Sequence, residues 1–136
     1  MQHVIQIGQD GAVVTIKTYG DGSPEGIIAF LEDLISHPEW TNGTNVLLDH
    51  RELSIDSITA EEIERVAGFF VSIADQLGDG KLALVMNRDI DFGIARAWEL
   101  VTATEVDMQI RVFKRIDDAK CWLQEGDQEP SALFIR

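Results

Sequence analysis

Apolar runs in this chain end abruptly in polar side chains, and those junctions are where an α/β protein does its chemistry. Val46-Leu47-Leu48 gives way to Asp49, His50 and Arg51; the run from Lys81 to Met86 gives way to Asn87, Arg88 and Asp89; and Gln109 to Phe113 leads into Lys114 and Arg115. If the runs are strands, the polar residues lie at their carboxyl ends, the place where open α/β sheets bind small molecules. Asp49, His50, Arg51, Asn87, Arg88, Lys114 and Arg115 therefore form a candidate rim for a small anionic or lipid-like ligand. Arg51, Arg88, Lys114 and Arg115 gather there although the chain holds only 11 basic side chains against 24 acidic ones. A phosphate, a carboxylate or a lipid head group would meet local positive charge in an otherwise acidic protein. The plainer alternative is that these charges pair with neighbouring acids on a solvated rim.

Catalysis has weaker support. His50 adjoins Asp49, but consecutive residues of a strand point to opposite faces, so the two cannot easily share a proton. Cys121 follows Asp117 by one helical turn, where packing on Ile116 gives it a buried structural role rather than a nucleophilic one. His3, His37 and His50 are too scattered for a metal site, and the acidic doublets Glu61-Glu62 and Asp117-Asp118 fall in first helical turns, where carboxylates favour the helix dipole without any metal. Glycine-rich nucleotide, Walker and nucleophile-elbow motifs are absent. The expectation is a non-catalytic protein with no cofactor.

Composition narrows the partners. A net charge of −13 repels nucleic acid and anionic membrane surfaces. One cysteine cannot form an internal disulfide, which fits a reducing compartment and predicts a cytoplasmic location. No run approaches the roughly 20 apolar residues of a membrane span, and the amino terminus does not read as a signal sequence. With 136 residues and 45% hydrophobic content, the expectation is a single domain over residues 1–136, with residues 124–136 as a C-terminal extension.

The elements that must position the rim follow from periodicity. Val4 to Ile7 and Ala12 to Ile16 flank Asp10-Gly11 and predict an antiparallel hairpin, with Gly20-Asp21-Gly22 breaking the extended run. Ser23-Pro24-Glu25 reads as a cap and first turn, and Ile27, Phe30, Leu31, Leu34 and Ile35 predict a helix to about Ser36, stopped by Pro38. After the strand at Val46 to Leu48 and a linker from Glu52 to Ile58, Thr59 and Glu62 form a capping box for a helix that reaches Leu77 and stops at Gly78. Lys81 to Met86 is the next strand. Phe92, Ile94, Ala97, Trp98 and Val101 mark the apolar side of a third helix, Gln109 to Phe113 is a strand near an edge, and Asp117 to Leu123 is a short fourth helix. Trp98 and Trp122 belong to the core, whereas Trp40 with Phe134, and the apolar tail Ser131 to Arg136, suggest a contact surface. The fold class is α/β: about five strands in a mixed sheet with a parallel βα core, an N-terminal antiparallel hairpin strand and about four helices.

The order of these elements, together with Val46 to Leu53, Lys81 to Val85 followed by Asp91 to Arg96, and Arg111 to Lys114 followed by Asp117 to Leu123, resembles the SpoIIAA-like group of STAS domains, which share a fold with lipid-binding CRAL-TRIO (Sec14-like) domains. The resemblance covers roughly Val13 to Leu123. It implies a protein-interaction or regulatory role, with a protein partner or self-association as a homodimer, and supplies no reaction. Within STAS proteins an Asp-Ser-Ser-Gly motif carries a phosphorylated serine, and the matching place here reads Ile55-Asp56-Ser57-Ile58-Thr59. Ser57 or Thr59 is thus a candidate phosphoacceptor, since a phosphate at a helix N-terminus meets free amides and adds about two negative charges. The second serine and the glycine are missing, and Glu61 and Glu62 oppose an added phosphate. The plain reading leaves Ser57 in a loop and Thr59 as a cap.

Overall fold

The five strands of the sheet pair in chain order. The computed structural model describes residues 1–8 and 11–125. The strands are β1 (Gln2–Ile7), β2 (Val13–Asp21), β3 (Asn45–Ser54), β4 (Lys81–Val85) and β5 (Gln109–Phe113), and the helices are α1 (Pro24–Ser36), α2 (Ala60–Ser72), α3 (Ala74–Leu77), α4 (Asp89–Thr102) and α5 (Ile116–Gln124). The sheet order is β1-β2-β3-β4-β5, with β1 and β2 antiparallel and all other pairs parallel. The expected mixed sheet with a parallel core is thus the observed one.

Register shows how the core is built. Val14, Val46, Leu82 and Ile110 lie side by side in one row across β2 to β5, and Ile16, Leu48, Leu84 and Val112 in the next. Both rows face the main core, with Phe30, Leu31 and Leu34 of α1 and Phe70 of α2. The alternate residues Leu47, Ala83 and Val85 pack on the opposite face against Ala119, Trp122 and Leu123 of α5. Because side chains alternate along a strand, each βα unit supplies both layers. Caps fix the helix starts: Ser23 Oγ accepts from Gly26 N at 3.0 Å, and Thr59 and Glu62 form the complete capping box.

Several elements differ from expectation. Strand β2 does not break at Gly20-Asp21. It continues because Gly20 and Asp21 pair with Leu53 and Ser54, and Gly20 takes a positive φ of 89° that suits glycine. Strand β3 correspondingly runs past Leu48 to Ser54, so Asp49, His50 and Arg51 lie inside the strand instead of beyond it. The helix expected through Leu77 divides at Ile73, whose φ of −106° and ψ of 13° leave helical geometry, and the result is five helices in place of about four. Gly78 does end α3. Its φ is 88°, and a Cβ there would collide with Asn42 and Gly43 of the α1–β3 connection. Helix α4 keeps Phe92, Ile94 and Trp98 half-buried as expected, but Asp91, Ala95 and Thr102 are its buried positions, while Ala97 and Val101 are exposed. Cys121 is exposed, not buried, because Ala119, Trp122 and Leu123 take the sheet-facing side of α5. Trp40 is half-buried and donates from Nε1 to the Gln76 carbonyl at 2.9 Å. Asp10, Phe134 and the tail Ser131 to Arg136 lie outside the described residues.

Candidate functional site

The carboxyl-terminal halves of β3 and β4 stand under α1, α2 and α4, and the three helices do not close over them. A cavity of about 90 Å³ remains. Leu48, His50 and Leu53 of β3 and Leu84 of β4, with Met86 just beyond it, form its floor. Phe30 and Leu31 come from α1, Ile63, Val66 and Phe70 from α2, and Ile94, Ala95 and Trp98 from α4. Ile55 and Ile58, on the connection from β3 to α2, complete the wall and flank Asp56 and Ser57. The lining is apolar apart from two residues that carry a polar group, His50 with its imidazole and Trp98 with its indole Nε1. That Nε1 is buried and has no hydrogen-bond partner among the described residues.

The structure separates Asp49 from His50, although both are buried. His50 points to the cavity side, 5.8 Å from the Phe30 ring centroid, and its Nδ1 lies 2.7 Å from Thr18 Oγ1. Thr18 Oγ1 also lies 3.3 Å from the Asp49 carbonyl. Burial pushes the His50 pKa down to about 4 against the opposing pull of the Asp49 charge, so the ring is neutral at pH 7. If the Thr18 proton goes to the carbonyl, Nδ1 carries the imidazole hydrogen; if it goes to Nδ1, the hydrogen sits on Nε2. Asp49 points through the other face, where Arg51 donates from Nε to Oδ1 and from Nη2 to Oδ2, each at 2.9 Å. Burial raises the Asp49 carboxyl, but the guanidinium fork and the Arg51 amide outweigh it and hold the group below its ordinary range. The fold therefore makes no acid–base pair of these neighbours.

The remaining rim residues divide by position. Arg88 donates to Asp91 in the first turn of α4 from Nε to Oδ2 at 2.9 Å and from Nη2 to Oδ1 at 2.8 Å. It also reaches Asp56 on the β3–α2 connection, Nη2 to Oδ1 at 2.5 Å. These two carboxylates raise the Arg88 pKa, and Arg88 in turn lowers that of Asp56. Lys114 Nζ stands 2.7 Å from Asp89 Oδ1 and 5.2 Å from the Phe92 ring centroid. The amine lowers the Asp89 pKa. Arg115 Nε is 3.8 Å from Asp118, and Asn87 is exposed. Each rim cation thus faces a carboxylate. Ser57 is exposed, and the Thr59 hydroxyl accepts from Glu62 N at 3.1 Å.

Thr18, Asp56, Asp91 and the Trp98 N–H were not legible as site residues. Thr18 sits at a register shift between Lys17 and Tyr19, which no local pattern announces. Asp91 reads as a helix-start carboxylate. A sharper signal lay in its spacing, since an arginine three residues before an aspartate at a helix entry is a ready i,i+3 pair. Among the described residues no group of His, Cys, Asp and Glu is arranged to hold a metal ion, and no helix is long and apolar enough to cross a membrane.

A crystal structure of an uncharacterized protein from Shewanella loihica PV-4, of the DUF3478 family and with a SpoIIAA-like fold, is similar to this chain with a TM-score of 0.59 at 16% identity, over 90% of this chain and 92% of that one. No family model matches the sequence, and neither does any curated protein. The likeness covers most of both chains, and the chain has a SpoIIAA-like fold.

Proposed function

We propose that this domain is a non-catalytic carrier or sensor that takes a small apolar group into the cavity above β3 and β4. One observation carries the reading: the cavity is open, walled by apolar side chains and left unfilled by the core around it. Protein interiors are otherwise close-packed, and an apolar void costs about 24 cal/mol per Å³. At 90 Å³ the cost is about 2 kcal/mol, a sum that a ligand returns on entering. The space is large enough for water, yet water needs several polar partners and finds few here. A neutral His50 and the unpartnered Trp98 N–H leave the site free of fixed charge, which suits an apolar guest. Thermal unfolding with a panel of small hydrocarbons, alcohols, amides and acids tests this. A ligand present at 100 times its Kd should stabilise the fold by about 2.7 kcal/mol; flat melting temperatures across the panel overturn it.

A protein-interaction role is the second reading, favoured by the outer side of α4. Ile90, Leu100 and Val101 are each more than 60% exposed, and Gly93 between them has open space around it. A second copy fits this stripe: antiparallel packing of α4 on itself about a two-fold axis sets Ile90 against Val101. Sedimentation of the intact protein and of Val101→Glu should give a dimer and a monomer, and two identical monomers would remove the reading.

A further inference from the structure

We propose that the ligand of the cavity is a carboxylate, read by Arg88 in exchange for Asp56. This deepens the binding role above and rests on it. Arg88 holds two carboxylates of different kinds. Asp91 has a side chain 5% exposed and anchors the guanidinium through two hydrogen bonds. Asp56 has a side chain 63% exposed, lies on a connection outside the regular elements, and meets the solvent side of the same guanidinium. An exposed ion pair of that sort contributes little, about 0 to 1 kcal/mol. The buried partner therefore aims the guanidinium, and the exposed one occupies the edge that remains. A tethered carboxylate in that place marks the geometry a ligand carboxylate would adopt.

The position relative to the cavity supports the exchange. Asp56 follows Ile55 directly and lies two residues before Ile58; Arg88 lies two residues after Met86; Ile94 follows Asp91 by about one turn. Ile55, Ile58, Met86 and Ile94 all belong to the cavity wall, so the Arg88–Asp56–Asp91 cluster is joined to that wall through its neighbours along the chain, without itself lining the cavity. The other rim cations are turned elsewhere. Arg51 serves Asp49 on the opposite face of the sheet, and Lys114 sits over Phe92 beside Asp89. In a chain of net charge −13 an anion is admitted only where a cation is already aimed. The ligand class that satisfies both ends is a monocarboxylic acid with a short or compact apolar tail.

The test uses near-isosteric pairs that differ only in the head: hexanoate against hexanamide, and benzoate against benzamide, titrated into the full chain at pH 7.5 and followed by calorimetry. The expected result is an acid bound about 10-fold tighter than its amide, the ratio corresponding to about 1.4 kcal/mol. Asp56→Asn removes the tethered competitor and should tighten the acid several-fold while leaving the amide unchanged. Arg88→Lys keeps a charge beside Asp91 but loses the fork, and should bring the acid and amide affinities together. If the amides bind and the acids bind no tighter, or if Asp56→Asn leaves the acids unchanged, the carboxylate assignment falls and the apolar cavity role stands. If neither acids nor amides bind, the cavity role itself falls.

Discussion

Ala95→Leu should both stabilise this protein and close its cavity. Ala95 is 3% exposed on the inner side of α4 and lines the void with Ile94 and Trp98. Leucine adds three carbons where about 90 Å³ stands empty. Recovering the cavity is worth up to about 2 kcal/mol, reduced by a few tenths for lower helix propensity and by the rotamer freedom the new side chain loses. A net gain of about 1 kcal/mol remains, which for a chain of this length raises the melting temperature by roughly 3 to 5 °C. Urea unfolding with an unchanged m-value would give the same quantity independently. Ligand binding should disappear in the same variant, because the added side chain occupies the guest's place. Overpacking a filled core costs about 1 to 3 kcal/mol instead. A variant destabilised by that amount would therefore refute the cavity, and a stabilised variant that still bound ligand would refute its role as the binding site.

Other outcomes follow from the groups around it. His50 has a folded pKa near 4, below its unfolded value of about 6.5, so the unfolded state binds the extra proton. Its contribution is fully present above pH 6.5 and is lost as pH falls towards 4, amounting to about 3 kcal/mol over that window. Urea midpoints measured from pH 4 to 8 should show this slope in the parent and a shallower one in His50→Gln; parallel curves would contradict the buried neutral ring. Thr18→Val leaves the His50 Nδ1 without its 2.7 Å partner and should cost about 1 to 3 kcal/mol in chemical denaturation. Thr59→Ala removes the side-chain half of the capping box and should cost about 1 kcal/mol, read from the same unfolding curves.

The chain's own text settled the alternation of strands and helices, the entry of α1 at Ser23-Pro24, the capping box at Thr59 and the parallel order of the core. Those features are encoded within one or two turns of local pattern: capping side chains, helix-breaking residues and the period of apolar positions. The extent of β3 was not legible, because Asp49, His50 and Arg51 look like the polar end of a strand when read in isolation. They stay in the sheet because β2 continues alongside and Thr18, 32 positions earlier, offers His50 a hydrogen bond. The face of α4 was legible only in part, Phe92, Ile94 and Trp98 lying inward and Ala97 and Val101 outward, for a related reason. Ala97 and Val101 suit a core by composition, but Asp91 is the residue turned inward, its charge satisfied by Arg88. The candidate site depended on tertiary structure most of all. Arg88 and Asp56 meet across 32 positions, and the void arises from how far α1, α2 and α4 stand apart. A one-dimensional pattern specifies which side of each helix is apolar; the space left between those sides is a property of their packing.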